Sequence, residues 1–160
     1  MSLHKRRGSA SSEDIDADIL YADLEFKVQY KSKIGQILHI CGNVEELGNW
    51  NADNSPKLDT NPGIYSIWES KFKFSLPVGM TIEYKYVLID QNNNKEWEQL
   101  PNNDVRTLTM KKSGNYLIIN QMGNLNLEII DQAIAEKKNS KINLNLNEKQ
   151  KKKKIMIKKQ

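Results

Sequence analysis

The sequence predicts an all-β fold, an antiparallel immunoglobulin-like β-sandwich of seven or eight short strands with flexible N- and C-terminal arms. Three observations lead there. Leu24, Phe26, Val28 and Tyr30 alternate with Glu25, Lys27 and Gln29, the period of a strand with one buried face. Turn-forming clusters then recur at short intervals, at Gly42-Asn43, at Leu76-Pro77-Val78-Gly79, and across residues 90–94 and 101–104. Finally, a chain of 160 residues of which 38% are hydrophobic can bury one modest core. A second, catalytic domain is not expected within it.

Taken in order, residues 1–23 are polar and of mixed charge, too poor in apolar side chains to order themselves, and read as a flexible arm. Within it, Lys5-Arg6-Arg7-Gly8-Ser9 has the basic-basic-x-Ser form that basophilic kinases favour, which makes Ser9 a candidate phosphorylation site. The sandwich domain is expected over residues 24–120. Its strands are read at 24–30, 36–41, 68–74, 81–90, 95–98, 105–110 and 116–120, each ending at a turn signal. Trp68, beside the alternating Phe72 and Phe74, suits the buried tryptophan of such a core. Residues 121–160 read as a Lys/Asn-rich tail. There Leu127, Ile130, Ala133 and Ile134 have helical spacing and suggest a short helix near 125–138, marginal in water without a partner.

The formal net charge of +4 is unevenly spread, with +9 over residues 137–160 and −5 over residues 1–136. The basicity belongs to the tail, so the domain itself is not expected to bind nucleic acid. The run Lys151-Lys152-Lys153-Lys154-Ile155-Met156-Ile157-Lys158-Lys159 reads first as a solvated tail, with an import signal or a patch for anionic lipid or RNA as alternatives. Cys41 is the only cysteine, and no apolar leader core or Asn-x-Ser/Thr acceptor is visible. A reducing, cytoplasmic setting is therefore expected. No apolar run approaches the roughly 20 residues needed to cross a bilayer, so a soluble protein without a membrane span is expected.

The informative chemistry lies in three segments: Cys41-Gly42-Asn43-Val44-Glu45-Glu46-Leu47-Gly48-Asn49-Trp50, Ile82-Glu83-Tyr84-Lys85-Tyr86-Val87, and the stretch from Lys95 through Trp97 to Pro101-Asn102. A pyranose ring offers C–H groups on a flat face and hydroxyls around its rim. Its binder needs exposed aromatic surface for the face and fixed donors and acceptors for the rim. Trp50, just past a turn, and Trp97, on a short strand, supply aromatic surface. Lys85 points away from Tyr84 and Tyr86 by strand alternation, so it faces outward if the tyrosines face the core. Asn102 both donates and accepts, as a hydroxyl requires.

These segments resemble the starch-binding domain, carbohydrate-binding module family 20, over roughly residues 24–119. The spacing from Gly42 to Trp50 matches, and Leu76-Pro77-Val78-Gly79 precedes the Glu-Tyr-Lys strand as in that family. The resemblance implies non-catalytic binding of α-1,4-linked glucan (starch, amylopectin or glycogen), with Trp50, Lys85, Trp97 and Asn102 forming the first sugar site. It also implies a role in tethering an enzyme partner to the polysaccharide. A second sugar site in that family uses tyrosines of two loops. Here the first of those positions falls on Ile34, and Tyr65 is the remaining candidate. The family's Pro-Asn-Arg reads Pro101-Asn102-Asn103, so an arginine that would brace this turn is missing.

An enzyme is not expected. His4 and His39 form no recognisable triad with Cys41, Glu96 and Glu98 lie on one strand rather than across a cleft, and no metal-ligand spacing or cofactor motif appears. The alternative from another class is an interaction protein whose sandwich is structural and whose basic tail binds nucleic acid or anionic membrane.

Overall fold

The computed structural model describes residues 18–158; Ser9 lies outside the described residues. Among these, nine strands form two sheets. They are β1 (Tyr21–Gln29), β2 (Ile37–Gly42), β3 (Ile67–Glu69), β4 (Phe74–Pro77), β5 (Thr81–Ile89), β6 (Lys95–Trp97), β7 (Arg106–Thr109), β8 (Gly114–Gln121) and β9 (Leu127–Asp131), followed by helix α1 (Gln132–Ile157). One sheet runs β3-β1-β8-β9 with β4 also on β1, and the other runs β2-β5-β6 with β7 also on β5.

The sandwich core is built by the period-two positions. Leu24, Phe26 and Val28 of β1 meet Leu38 and Ile40 of β2 and Ile82, Tyr84 and Tyr86 of β5, all essentially inaccessible to solvent. Trp68 is 5% exposed within this core, and its indole N–H donates to the Tyr30 carbonyl at 3.1 Å, as a buried tryptophan requires.

Three boundaries and one pairing direction differ from the sequence reading. First, the arm expected to reach residue 23 gives way to strand at Tyr21, because Ala22 is held between Leu76 and Gly114 of two neighbouring strands. Second, the strand expected over 68–74 is two. β3 and β4 pair with successive parts of β1, and at the break Ser70 takes the Phe26 N–H on its Oγ at 2.8 Å. The Leu76-Pro77 half of the expected turn accordingly closes β4. Third, the pairing is not wholly antiparallel, since β1 and β8 run parallel.

The fourth correction concerns the tail. The apolar spacing read as a short helix near 125–138 mixes two elements: β9 pairs antiparallel with β8, and α1 then runs for 26 residues. Asp131 makes the switch, its carboxylate accepting the Ala133 and Ile134 N–H groups at 3.0 and 3.3 Å, the geometry of a helix N-cap. None of the α1 residues is buried.

Candidate functional site

Trp50 is presented by a corner whose shape follows from its glycines. Leu47 is fully buried and anchors the corner, Gly48 turns the chain with φ +84°, and the Trp50 N–H closes it on the Gly42 carbonyl at 2.8 Å. Gly42 has no room for a side chain, as an added Cβ would stand 2.5 Å from the Glu83 carbonyl oxygen. Asn43 fastens the turn to β5, exchanging backbone and side-chain hydrogen bonds with Glu83 at 2.9 Å each. Trp50 itself sits at φ +62°. A bulky residue there is uncommon and costs on the order of 1–3 kcal/mol, which persists only where the surroundings impose it.

Trp97 reaches the same place from β6. Its register partner is Val87 of β5, and Lys85 pairs with Cys41 of β2, so Trp97, Val87, Lys85 and Cys41 all lie on the outer face of the second sheet. Cys41, Ala52 and Val87 are buried there, with Ile89 and Trp97 packed on them, giving the indole a firm apolar base. The Trp50 and Trp97 ring centroids stand 6.4 Å apart at an interplanar angle of 51°. Trp50 is 39% exposed. Lys85 is half-buried on this face and makes no ion pair with any described residue.

Asn102 lies at the tip of the β6–β7 connection, exposed and with φ 57°. Register locates this loop. Trp97 pairs with Val87, the Glu98 N–H donates to the Tyr86 carbonyl at 3.0 Å, and Arg106 pairs with Tyr84. Residues 99–105 therefore leave and rejoin β5 at Lys85. Trp50 thus meets Trp97, which shares a sheet face with Lys85, and the loop of Asn102 leaves and rejoins the sheet opposite Lys85.

Tyr65 and Ile34 meet elsewhere, around a shallow depression also lined by Thr60 and Trp68. Ile34 is fully exposed and Tyr65 half-exposed, its hydroxyl donating to the Ser32 carbonyl at 3.1 Å. Thr60 Oγ1, buried beside them, has no hydrogen-bond partner among the described residues.

Two ion pairs of this region escaped the sequence reading. Asp53 meets Lys95 at 2.8 Å, joining the segment after Trp50 to the strand of Trp97; hydrogen bonding from Lys95 lowers the Asp53 pKa below its usual 3.8. Beneath the sheet, Glu98 and Arg106 form a buried bidentate pair at 2.8 and 2.9 Å. Their signal was present: Arg106 alternates with the buried Leu108 and Met110, and an inward arginine demands an anionic partner. Glu98 is thereby removed from any acid–base role beside Glu96, which is exposed. His39 faces Ser55, with Nδ1 2.9 Å from its carbonyl oxygen. Cys41 is buried, and burial raises its thiol pKa, which makes it a poor nucleophile.

The described residues thus form a two-sheet sandwich with a pair of indoles on an outer face. Residues 22–116 match the family described as the starch binding domain, and the chain belongs to that family. It is 39% identical over 93 residues to an alpha-amylase of Streptomyces violaceus, covering 58% of this chain and 15% of that protein. With a cyclomaltodextrin glucanotransferase of Bacillus sp. (strain 1-1) it shares 42% identity over 80 residues, covering 50% of this chain and 11% of that protein. In fold it is similar to a glycoside hydrolase family 15 glucoamylase from Hypocrea jecorina, with TM-score 0.53, 22% identity, and coverage of 65% of this chain and 17% of that one. The chain spans only a small part of the length of these proteins. Strand β9 and helix α1 lie beyond the matched residues.

Proposed function

We propose that this domain holds α-1,4-linked glucan without altering it, with Trp50 and Trp97 stacking on successive sugar rings and Lys85 and Asn102 bonding their hydroxyls. The observation that carries the reading is the indole pair, two partly open aromatic faces 6.4 Å apart and tilted by 51°. A curved α-1,4 chain presents consecutive rings at an angle, whereas a flat β-1,4 chain does not, so tilted indoles favour starch, amylopectin or glycogen over cellulose. Tyr65, beside the Thr60 hydroxyl that has no hydrogen-bond partner among the described residues, is the proposed aromatic of a weaker second sugar site. The domain would serve to tether an enzyme partner to the polysaccharide, in a cytoplasmic setting suited to its single thiol.

Co-sedimentation tests this reading. The protein is expected to pellet with granular starch and not with cellulose, at a dissociation constant of about 1 μM to 1 mM for one open site. Equal retention on both polymers sinks the specificity claim.

A second reading is favoured by α1, whose exposed lysines suit nucleic acid or an anionic membrane. It treats the sandwich as structural. Binding that disappears with α1 and weakens steeply in salt would support it.

A further inference from the structure

We propose that the buried Glu98–Arg106 pair is a positioning clasp for the loop carrying Asn102, setting the affinity of the glucan site without touching sugar. The inference rests on the reading of Asn102 as a sugar contact.

The loop has little else to hold it. Residues 99–105 make an excursion from the sheet edge that begins and ends across Lys85, and Asn102 and Asn103 both adopt left-handed backbone at φ 57° and 52°. Within the loop, the Asp104 N–H donates to the Pro101 carbonyl at 3.1 Å, the Val105 N–H to the Asp104 carboxylate at 2.9 Å, and Leu100 is buried. The two residues at its base are fastened far more heavily. Arg106 Nε and Nη2 donate to both oxygens of Glu98, the Tyr86 N–H donates to Glu98 Oε1 at 3.0 Å, and Arg106 Nη2 also donates to the Gln121 carbonyl at 2.7 Å. The guanidinium lies 5.3 Å from the centre of the Tyr86 ring. The Glu98 and Arg106 side chains are 0% and 3% exposed. The clasp therefore ties the loop base to both sheets, since Tyr86 belongs to β5 and Gln121 to β8.

Stability alone is a weak reason for such a pair, because a well-packed apolar pair in its place is often as stable. What an apolar pair lacks is direction. The rigid guanidinium fork fixes the separation and angle of residues 98 and 106, hence the path of the loop between them and the strand end bearing Trp97. Carried on such a base, Asn102 meets the ligand already ordered, and the ordering cost of binding falls.

The test is maltoheptaose titration of the full chain by calorimetry, with circular dichroism to check the fold. Asn102→Ala is expected to weaken binding about five- to tenfold, the loss of one neutral hydrogen bond. Glu98→Gln combined with Arg106→Met removes both charges but leaves an acceptor for the Tyr86 N–H; it is expected to weaken binding by a similar factor while the folded spectrum is kept. Adding Asn102→Ala to that pair is expected to cause no further loss, the non-additivity of residues acting as one unit. Should the double variant fail to fold, Arg106→Lys keeps the charge without the fork and is expected to fold and bind more weakly than the parent. Wild-type affinity in whichever of these folds, or a multiplicative loss in the triple variant, overturns the clasp. Wild-type affinity in Asn102→Ala instead overturns the site reading, and the clasp with it.

Discussion

Trp50 and Trp97 meet at a tilt of 51° and a centroid distance of 6.4 Å although one rides on a backbone corner and the other on a strand. The corner is held by the Gly42 carbonyl and the strand by Val87, and Trp97 rests on the small outer cluster of Cys41, Ala52 and Val87. The pair is a built surface. It lies apart from Trp68, which is buried in the main core.

Trp50→Ala and Trp97→Ala are each expected to abolish most starch retention with the fold kept. Trp68→Ala, a deletion in the main core, is expected to cost on the order of 3–5 kcal/mol of stability. Paired pull-down and urea-melt measurements check this. A Trp68→Ala protein that melts normally yet loses starch reverses the assignment.

Gly42→Ala is expected to destabilise by about 1–3 kcal/mol, as overpacking does, since the new methyl would meet the Glu83 carbonyl and Leu47. Because the Trp50 N–H bonds to the Gly42 carbonyl, starch affinity should fall along with stability. Denaturant midpoints and co-sedimentation on the same samples read both.

Acid is expected to act through His39 before Asp53. Burial, reinforced by Lys57, holds the His39 pKa below its ordinary 6.5 despite the Ser55 carbonyl. The unfolded chain therefore takes up this proton first, so stability is expected to be constant above 6.5 and to decline as pH falls through and below it. The Asp53 pKa is lowered by Lys95, so its contribution is present above the ordinary carboxylate value and lost only as pH falls through the depressed one. Urea midpoints at pH 7.5 and 5.5 should differ in the parent and converge in His39→Gln.

Removal of α1 is expected to leave starch binding intact and nearly independent of salt, since a neutral glucan releases no counterions. The cut belongs after Asp131. An earlier one at residue 120 would strip β9 from β8 and remove the Gln121 carbonyl that Arg106 uses. A tenfold loss of starch affinity on removing α1, or on raising salt from 50 to about 500 mM, would move the interaction-protein reading ahead.

The sequence by itself determined the sandwich and its main strands, because the alternation of Leu24, Phe26 and Val28, or of Ile82, Tyr84, Tyr86 and Leu88, is a local property that burial of one face writes along the chain. It also determined the family, and the expectation that Trp50, Lys85, Trp97 and Asn102 contact sugar rests on residue types whose spacing is visible without a fold. Only the tertiary structure decided that β1 pairs parallel with β8, that residues 127–131 add an edge strand, and that Glu98 meets Arg106 beneath the loop carrying Asn102. These depend on which distant segments come into contact, and neither a backbone ladder nor a buried charge records its partner in the residues beside it.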